Sequence, residues 1–225
     1  MTFPPLHEAV LLRRYKRFLA DVRFVDGTEV TVHCANPGRM TSCLEEGGRI
    51  WLSHHPGTKR KLLWSWELAE VGDATILINT ARANRVVEEA LRSGQVPGLA
   101  GEVKPEVKVG DSRLDFRVGD GFVEVKSVTL LAAPRVASFP DAPTERGRKH
   151  LAELRALCEG GTPATLIFLL GRDDADCIRP ADAVDPAYGV ALRRAASAGV
   201  GVIGLRTAID TQGMQVVGTV PVQLS

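Results

Sequence analysis

Only four cysteines occur in 225 residues, Cys34, Cys43, Cys158 and Cys177, and none forms a C-x-x-C pair. They read as reduced thiols rather than a disulfide framework, and a zinc site from His33, Cys34 and Cys43 is the weaker reading. No apolar run approaches the roughly 20 residues of a membrane-spanning helix. The N-terminal MTFPPLHEAVLLRRYKRF lacks the charged, apolar, then small-residue order of a secretory signal, so the expected location is cytoplasmic. The net charge is only +1, and bulk charge does not mark a nucleic-acid binder; any such footprint lies in local clusters. There is no internal repeat, no P-loop and no G-x-S-x-G elbow. What remains, 44% hydrophobic and 24% charged, is ordinary globular composition, long enough for one large or two small domains.

The local clusters begin at once. Residues 11–24, LLRRYKRFLADVRF, run to a turn at Asp26-Gly27 and on into TEVTVHC, where Val30, Val32 and Cys34 alternate with Thr31 and His33. After Asn36-Pro37-Gly38, the segments RIWLS, KLLWSWELAEV and ATILIN read as further strands. Short strands with Gly-rich turns suit a small closed barrel, of which the oligonucleotide-binding OB fold is a common example. Arg13, Arg14, Lys16 and Arg17 interleave with Tyr15 and Phe18, and Lys59, Arg60 and Lys61 precede Trp64 and Trp66. Cations for phosphates beside rings for bases are what a nucleic-acid groove requires; the alternative for the rings is barrel core.

The stretch Ser112 to Thr129, SRLDFRVGDGFVEVKSVT, writes out a β-hairpin. Leu114, Phe116, Val118, Val123 and Val125 alternate with Arg113, Asp115, Arg117, Glu124 and Lys126. A Gly119-Asp120 loop suits a primed turn and sets Asp115 opposite Glu124; an Asp120-Gly121 loop sets Asp115 opposite Lys126, with Glu124 diagonal to it. Either register makes the carboxylates neighbours, with Cβ atoms roughly 4.5–5.5 Å apart when directly opposed. Two carboxylates suit a hard divalent cation, Mg²⁺ or Mn²⁺. Asp followed across a hairpin by Glu-x-Lys is similar to the active-site signature of the PD-(D/E)xK nuclease-like fold. The bland alternative is a salt-bridge ladder on a solvated sheet face.

Around this hairpin the pattern alternates between helix and strand. Thr80 is placed to cap a helix through ARANRVVEEALRSG, with Glu88 and Glu89 flanking its apolar face. EVKPEVKVG reads as a strand, and Pro143-Thr144 opens a helix whose basic face carries Arg146 and Lys149. TPATLIFLLG is a strand buried on both faces, DPAYGVALRRAASAG a helix, GVGVIGLRT another buried strand, and the tail GMQVVGTVPVQL is β-like. The fold expected is α+β in two domains: an OB-like β-barrel over 1–79 and a mixed α/β nuclease-like domain over 80–225.

Seven blocks in order, RRYKRFLADV, HCANPGRM, KRKLLWSWEL, NTARANRVVEEAL, EVKVGDSRLDF, VEVKSVTL and FPDAPTERGRKHL, resemble the sugar fermentation stimulation protein A family of bacteria and archaea over nearly the whole chain. The resemblance implies the same two domains and a DNA-binding protein linked to regulation of sugar-utilisation genes. Asp115, Glu124 and Lys126 match the family's acidic and lysine positions, and Glu89 matches its helix glutamate; Ala35 and Pro37 depart from the commoner residues of their loop.

Two functions follow as expectations. The first is DNA binding, single- or double-stranded, with little sequence preference, through Arg13, Arg14, Lys16, Arg17, Arg39, Lys59, Arg60, Lys61, Arg146 and Lys149. The second is divalent-metal-dependent hydrolysis of DNA, with Asp115, Glu124 and Glu89 as metal ligands and Lys126 stabilising charge or positioning a water. A small-molecule binder in sugar metabolism is the rival from another class.

Overall fold

A computed structural model of the chain describes residues 1–110 and 112–225. The period-2 segments of the N-terminal third form β1 (Leu6–Tyr15), β2 (Leu19–Phe24), β3 (Glu29–Cys34), β4 (Arg49–His54), β5 (Trp64–Val71) and β6 (Ala74–Leu77). They lie in the order β3-β2-β1-β4-β5-β6, and β3 also pairs with β5, so that five strands close into the expected barrel. Its interior is filled by Leu11, Val22, Val32, Ile50, Leu52 and Trp66. Trp66 is therefore core, its indole N–H donating to the Leu68 carbonyl at 2.8 Å. Trp64 is half-buried against His54, with ring centroids 4.3 Å apart. The Asp26-Gly27 turn falls where the sequence puts it, with Gly27 at φ 87°. The turn between β1 and β2 does not: Lys16 and Arg17 adopt φ 47° and 65°, a left-handed conformation usually marked by Gly or Asn. No such marker exists, so 11–24 read as one stretch.

The rest of the chain forms α1 (Arg82–Arg92), β7 (Val103–Val109), β8 (Ser112–Val118), β9 (Gly121–Val128), β10 (Leu130–Ala133), β11 (Val136–Phe139), α2 (Glu145–Glu159), β12 (Ala164–Leu170), β13 (Cys177–Pro180), α3 (Pro186–Ser197), β14 (Gly201–Ile209) and β15 (Met214–Val220). The main sheet has the order β15-β14-β12-β9-β8-β7, with β9, β12 and β14 parallel. The apolar run of β12 is buried at every position. Ile167 and Leu169 pack with α1, while Leu166, Phe168 and Leu170 pack with α2 and α3. Helices thus cover both faces. The β-like tail is β15, antiparallel to β14, and the small sheet β10-β11-β13 was not foreseen.

Two of the three helix starts obey their capping signals. Thr144 accepts from the Gly147 N–H at 3.0 Å, and Asp185 caps α3 ahead of Pro186. Thr80 does not cap α1, which begins after Ala81 without a side-chain cap; its hydroxyl donates instead to the Ala35 carbonyl at 3.0 Å. That contact joins the barrel to α1. The joint is also apolar, since Leu68 and Leu77 of the barrel share one core with Val86, Val87 and Leu91 of α1 and Val216 of β15. Among the described residues no helix is long and apolar enough to cross a membrane.

Candidate functional site

The hairpin pairs Phe116 with Val123 and Val118 with Gly121, the register of a Gly119-Asp120 loop, with Gly119 at φ 56° as a II′ turn requires in its first position. Extending that register brings Asp115 level with Glu124, but the ladder stops at Phe116. Asp115 Oδ2 takes the Val125 N–H at 2.7 Å in place of a main-chain carbonyl, and β8 departs with β7 while β9 stays with β12. The other oxygen, Oδ1, accepts from Asn84 Nδ2 of α1 at 2.7 Å.

Glu124 is 2% exposed, beneath α2 rather than on a solvated face, which sets aside the exposed-ladder alternative. Its Oε1 accepts from Lys126 Nζ and His150 Nδ1 in two close contacts. Arg146 Nε points at the far ring nitrogen, Nε2, at 3.5 Å; the neutral Nδ1–H tautomer of His150 satisfies both contacts. Glu124 Oε2 is buried and has no hydrogen-bond partner among the described residues. Burial pushes the Glu124 carboxyl up, yet the His150 hydrogen bond and the Lys126 charge outweigh it and hold the group below the usual carboxylate range. Asp115 goes the other way: burial and then repulsion from Glu124 push it up to about 6. The Tyr188 hydroxyl is also buried without a partner among the described residues, its pKa raised by burial and then by the Glu124 charge.

Beside the pair a cleft of about 240 Å³ opens at the seam between barrel and sheet, lined by Asn36, Thr80, Asn84, Lys126, Ser127 and Asp141 among others. Two buried donors there have no partner among the described residues, Asn36 Nδ2 and Ser127 Oγ. The Asn36 amide orientation is fixed because its Oδ1 accepts from the Gly38 N–H at 2.9 Å. Gly38 leaves room for Asp141: a Cβ there would fall 1.8 Å from Asp141 Oδ2, the carboxylate oxygen that accepts from the Met40 N–H at 3.2 Å, and would displace it.

Asp115, Glu124 and Lys126 come together as expected from the hairpin. Glu89 does not join them; it pairs with the Met1 ammonium at 2.6 Å and with Arg85 at 3.4 Å, which hold its carboxyl below the ordinary range. The α1 residue that reaches the pair is Asn84. Among the described residues no group of three His, Cys, Asp or Glu is arranged to hold a metal ion. The zinc grouping is not formed: Cys34 and Cys43 are buried in the barrel core, the Cys43 thiol donating to the Thr129 carbonyl at 3.4 Å.

Of the basic residues, Lys16, Arg17, Arg39, Lys59, Arg60, Lys61, Arg146 and Lys149 are exposed. Arg13 is exposed but paired with Asp21 at 2.8 Å. Arg14 is occupied otherwise, donating to the carbonyls of Asn36 and Gly38 at 2.9 Å each, so it holds the cleft loop rather than a phosphate. Residues missing from the sequence-based site are Asn84, His150, Asn36, Ser127 and Asp141. His150, four residues after Arg146 on α2, carries the one readable signal, because its helix follows the carboxylate strand.

The sugar fermentation stimulation protein RE domain matches residues 81–213, and the SfsA N-terminal OB domain matches residues 12–78. The chain belongs to the sugar fermentation stimulation protein family. Family relatives named sugar fermentation stimulation protein homolog include one from Pseudomonas paraeruginosa, 48% identical, covering 98% of each chain. Another, from Thioalkalivibrio sulfidiphilus, is 48% identical over 99% of this chain and 97% of its own. The structure of Pyrococcus furiosus SfsA in complex with Ca²⁺ superposes with a TM-score of 0.90 at 27% identity, covering 99% of this chain and 98% of the other.

Proposed function

We propose that this family member binds the DNA backbone with little sequence preference and holds a divalent cation, Mg²⁺ or Mn²⁺, between Asp115 and Glu124. The observation that carries the reading is a set of three buried polar atoms without partners among the described residues, one on the carboxylate pair and two in the cleft beside it. Glu124 Oε2 is a buried acceptor without a partner among the described residues, and Asn36 Nδ2 and Ser127 Oγ are buried donors without one. Such groups are rare in native folds because each forfeits the free energy of a hydrogen bond. A cation on the carboxylates with a phosphate on the two amide and hydroxyl donors would satisfy all three, and Mg²⁺ sites commonly combine one or two carboxylates with a phosphate. The Ca²⁺ complex of the Pyrococcus furiosus relative supports a hard cation in this fold.

When bound, the cation would neutralise the carboxylate pair, polarise a phosphate oxygen and acidify a bound water. Lys126 and His150 hold Glu124 ionised and in place; Asn84 and the Val125 N–H orient Asp115. Lys16, Arg17, Arg39, Lys59 and Arg146 supply cations for flanking phosphates, while the sequence carries no base-reading helix motif. Binding to a labelled duplex should weaken steeply with salt, log K against log salt having a slope near −0.9 for each phosphate contact. Salt-independent binding, or none at low salt, removes the proposal. Phosphodiester hydrolysis is the second reading, favoured by Lys126, which lines the cleft and whose ammonium contacts Glu124. Cleavage of single-stranded, duplex or branched DNA that Glu124→Gln and Lys126→Ala both abolish would promote it; binding without cleavage would leave the first reading alone.

A further inference from the structure

On the barrel side of the seam lies a larger cleft of about 610 Å³, between the end of β3, the loop joining β4 to β5 and the start of α1. It is separated from the seam cleft where the Thr80 N–H and hydroxyl both reach the Ala35 carbonyl, at 3.3 and 3.0 Å. Its floor is a buried polar network. Glu67, fully buried, accepts from Ser53 Oγ at 2.6 Å, Asn79 Nδ2 at 3.0 Å, and Arg82 Nε and Nη2 at 3.0 and 2.7 Å. The charge of Glu67 is therefore answered from within the protein.

The network fixes what the cleft presents. Because Ser53 gives its one proton to Glu67, His55 Nε2, 3.0 Å from Ser53 Oγ, must be the donor of that pair; burial lowers the His55 pKa, and in the neutral ring Nδ1 is then an acceptor. Because Asn79 Nδ2 is committed to Glu67, its Oδ1 is assigned, and it has no partner among the described residues although Asn79 is only 8% exposed. Both residues line the cleft, with Arg60 and Lys61 as exposed cations and Ala35, Leu62 and Ala81 as apolar wall. Inorganic phosphate would meet the cations but offers no donor beyond its own P–OH and no apolar face for Leu62 and the alanines. A fitting ligand has an anionic end, hydroxyl or amino donors and an apolar face, within a volume typical of small-molecule sites.

We propose that this cleft binds a nucleoside monophosphate unit, free or at the end of a strand. The phosphate lies on Arg60 and Lys61, a hydroxyl or amino group donates to Asn79 Oδ1 and His55 Nδ1, and the base lies against Leu62 and its alanine neighbours. The proposal shares its cationic loop with the DNA reading but does not rest on DNA binding or on the acidic pair.

The test is titration calorimetry on the full chain with the common nucleoside 5′-monophosphates, inorganic phosphate, hexose 6-phosphates, and one oligonucleotide with either a 5′-phosphate or a 5′-hydroxyl. At least one monophosphate, or the 5′-phosphorylated strand, should bind saturably and at least tenfold tighter than inorganic phosphate or the hexose phosphates. The paired substitution Arg60→Ala and Lys61→Ala, at exposed positions that spare the fold, should weaken it at least tenfold; Asp115→Asn should leave it unchanged. A tenfold preference for the 5′-phosphorylated strand over its hydroxyl form identifies a strand end as the source; equal binding of the two identifies the free nucleotide when a monophosphate binds, and overturns the proposal when none does. Absence of saturable binding by monophosphates and strand alike overturns the proposal, as do equal affinity for hexose phosphates, indifference to the double substitution, or loss in Asp115→Asn. Duplex binding measured in parallel separates the two readings, since nucleotide binding without duplex binding fails the DNA reading alone.

Discussion

Asp115→Asn should stabilise the metal-free protein at neutral pH and do nothing favourable in acid. The Asp115 carboxyl is pushed up to about 6 by burial and by Glu124, against about 3.9 in an unfolded chain. An acid whose folded pKa is raised is easier to keep protonated in the fold. Its contribution is therefore intact below pH ~4, declines as pH rises to ~6, and is gone above that. Two pKa units at about 1.4 kcal/mol each put the loss near 3 kcal/mol at pH 8. The amide removes that loss but exchanges two hydrogen bonds to a carboxylate for two neutral ones, the Asn84 amide turning so that its oxygen accepts from the new –NH₂ group, at a cost of about 1 kcal/mol. A net gain of roughly 1–2 kcal/mol remains, or roughly 2–8 °C in Tm for a chain of this size. The assay is denaturant and thermal unfolding of parent and variant in chelator from pH 4 to 9. The difference should grow through pH 4–6 and level off above. A variant no more stable than the parent at pH 8, or a difference flat with pH, would refute the electrostatic account of the pair.

Glu124→Gln should behave oppositely, losing about 3 kcal/mol at pH 7 in denaturant unfolding, because Lys126 is only 14% exposed on its side chain and would be left a buried charge without its partner. Tyr188→Phe removes a buried hydroxyl that has no partner among the described residues, so its denaturation midpoint should rise by the equivalent of about 1 kcal/mol; a fall would reveal a partner for that hydroxyl. Gly38→Ala should lower the Tm, since its methyl would collide with Asp141, and Gly38→Ala combined with Asp141→Ala should recover part of the loss.

Much of this was legible in the residues because it depends on local period and turn chemistry. The hairpin was legible down to a choice between two loops, which the structure settles as Gly119-Asp120; the buried β12 followed from the continuity of ATLIFLL, and the starts of α2 and α3 from Thr144 and Asp185-Pro186. What was not legible depends on tertiary packing. Residues 16–17 turn left-handed with no glycine to announce it. Thr80 has the chemistry of a cap but is drawn to Ala35, because the barrel and α1 meet there. Glu89 and Asn84 sit on one helix at positions that periodicity alone does not rank, and only the departure of β8 from β9 puts Asn84 against Asp115. Arg14 looks like its basic neighbours in sequence, yet two loop carbonyls claim its guanidinium. His150 becomes a partner of Glu124 only when α2 folds back over β9.

The central claim, a divalent-cation site between Asp115 and Glu124, is tested most directly by titrating Mn²⁺ into metal-free protein near pH 7.5 and following the bound ion by calorimetry or electron paramagnetic resonance. The account predicts one saturable site that is lost when Asp115 and Glu124 are both replaced by their amides in a variant whose circular dichroism is unchanged. Mn²⁺ binding that survives the double substitution, or a parent protein that binds none, would contradict it.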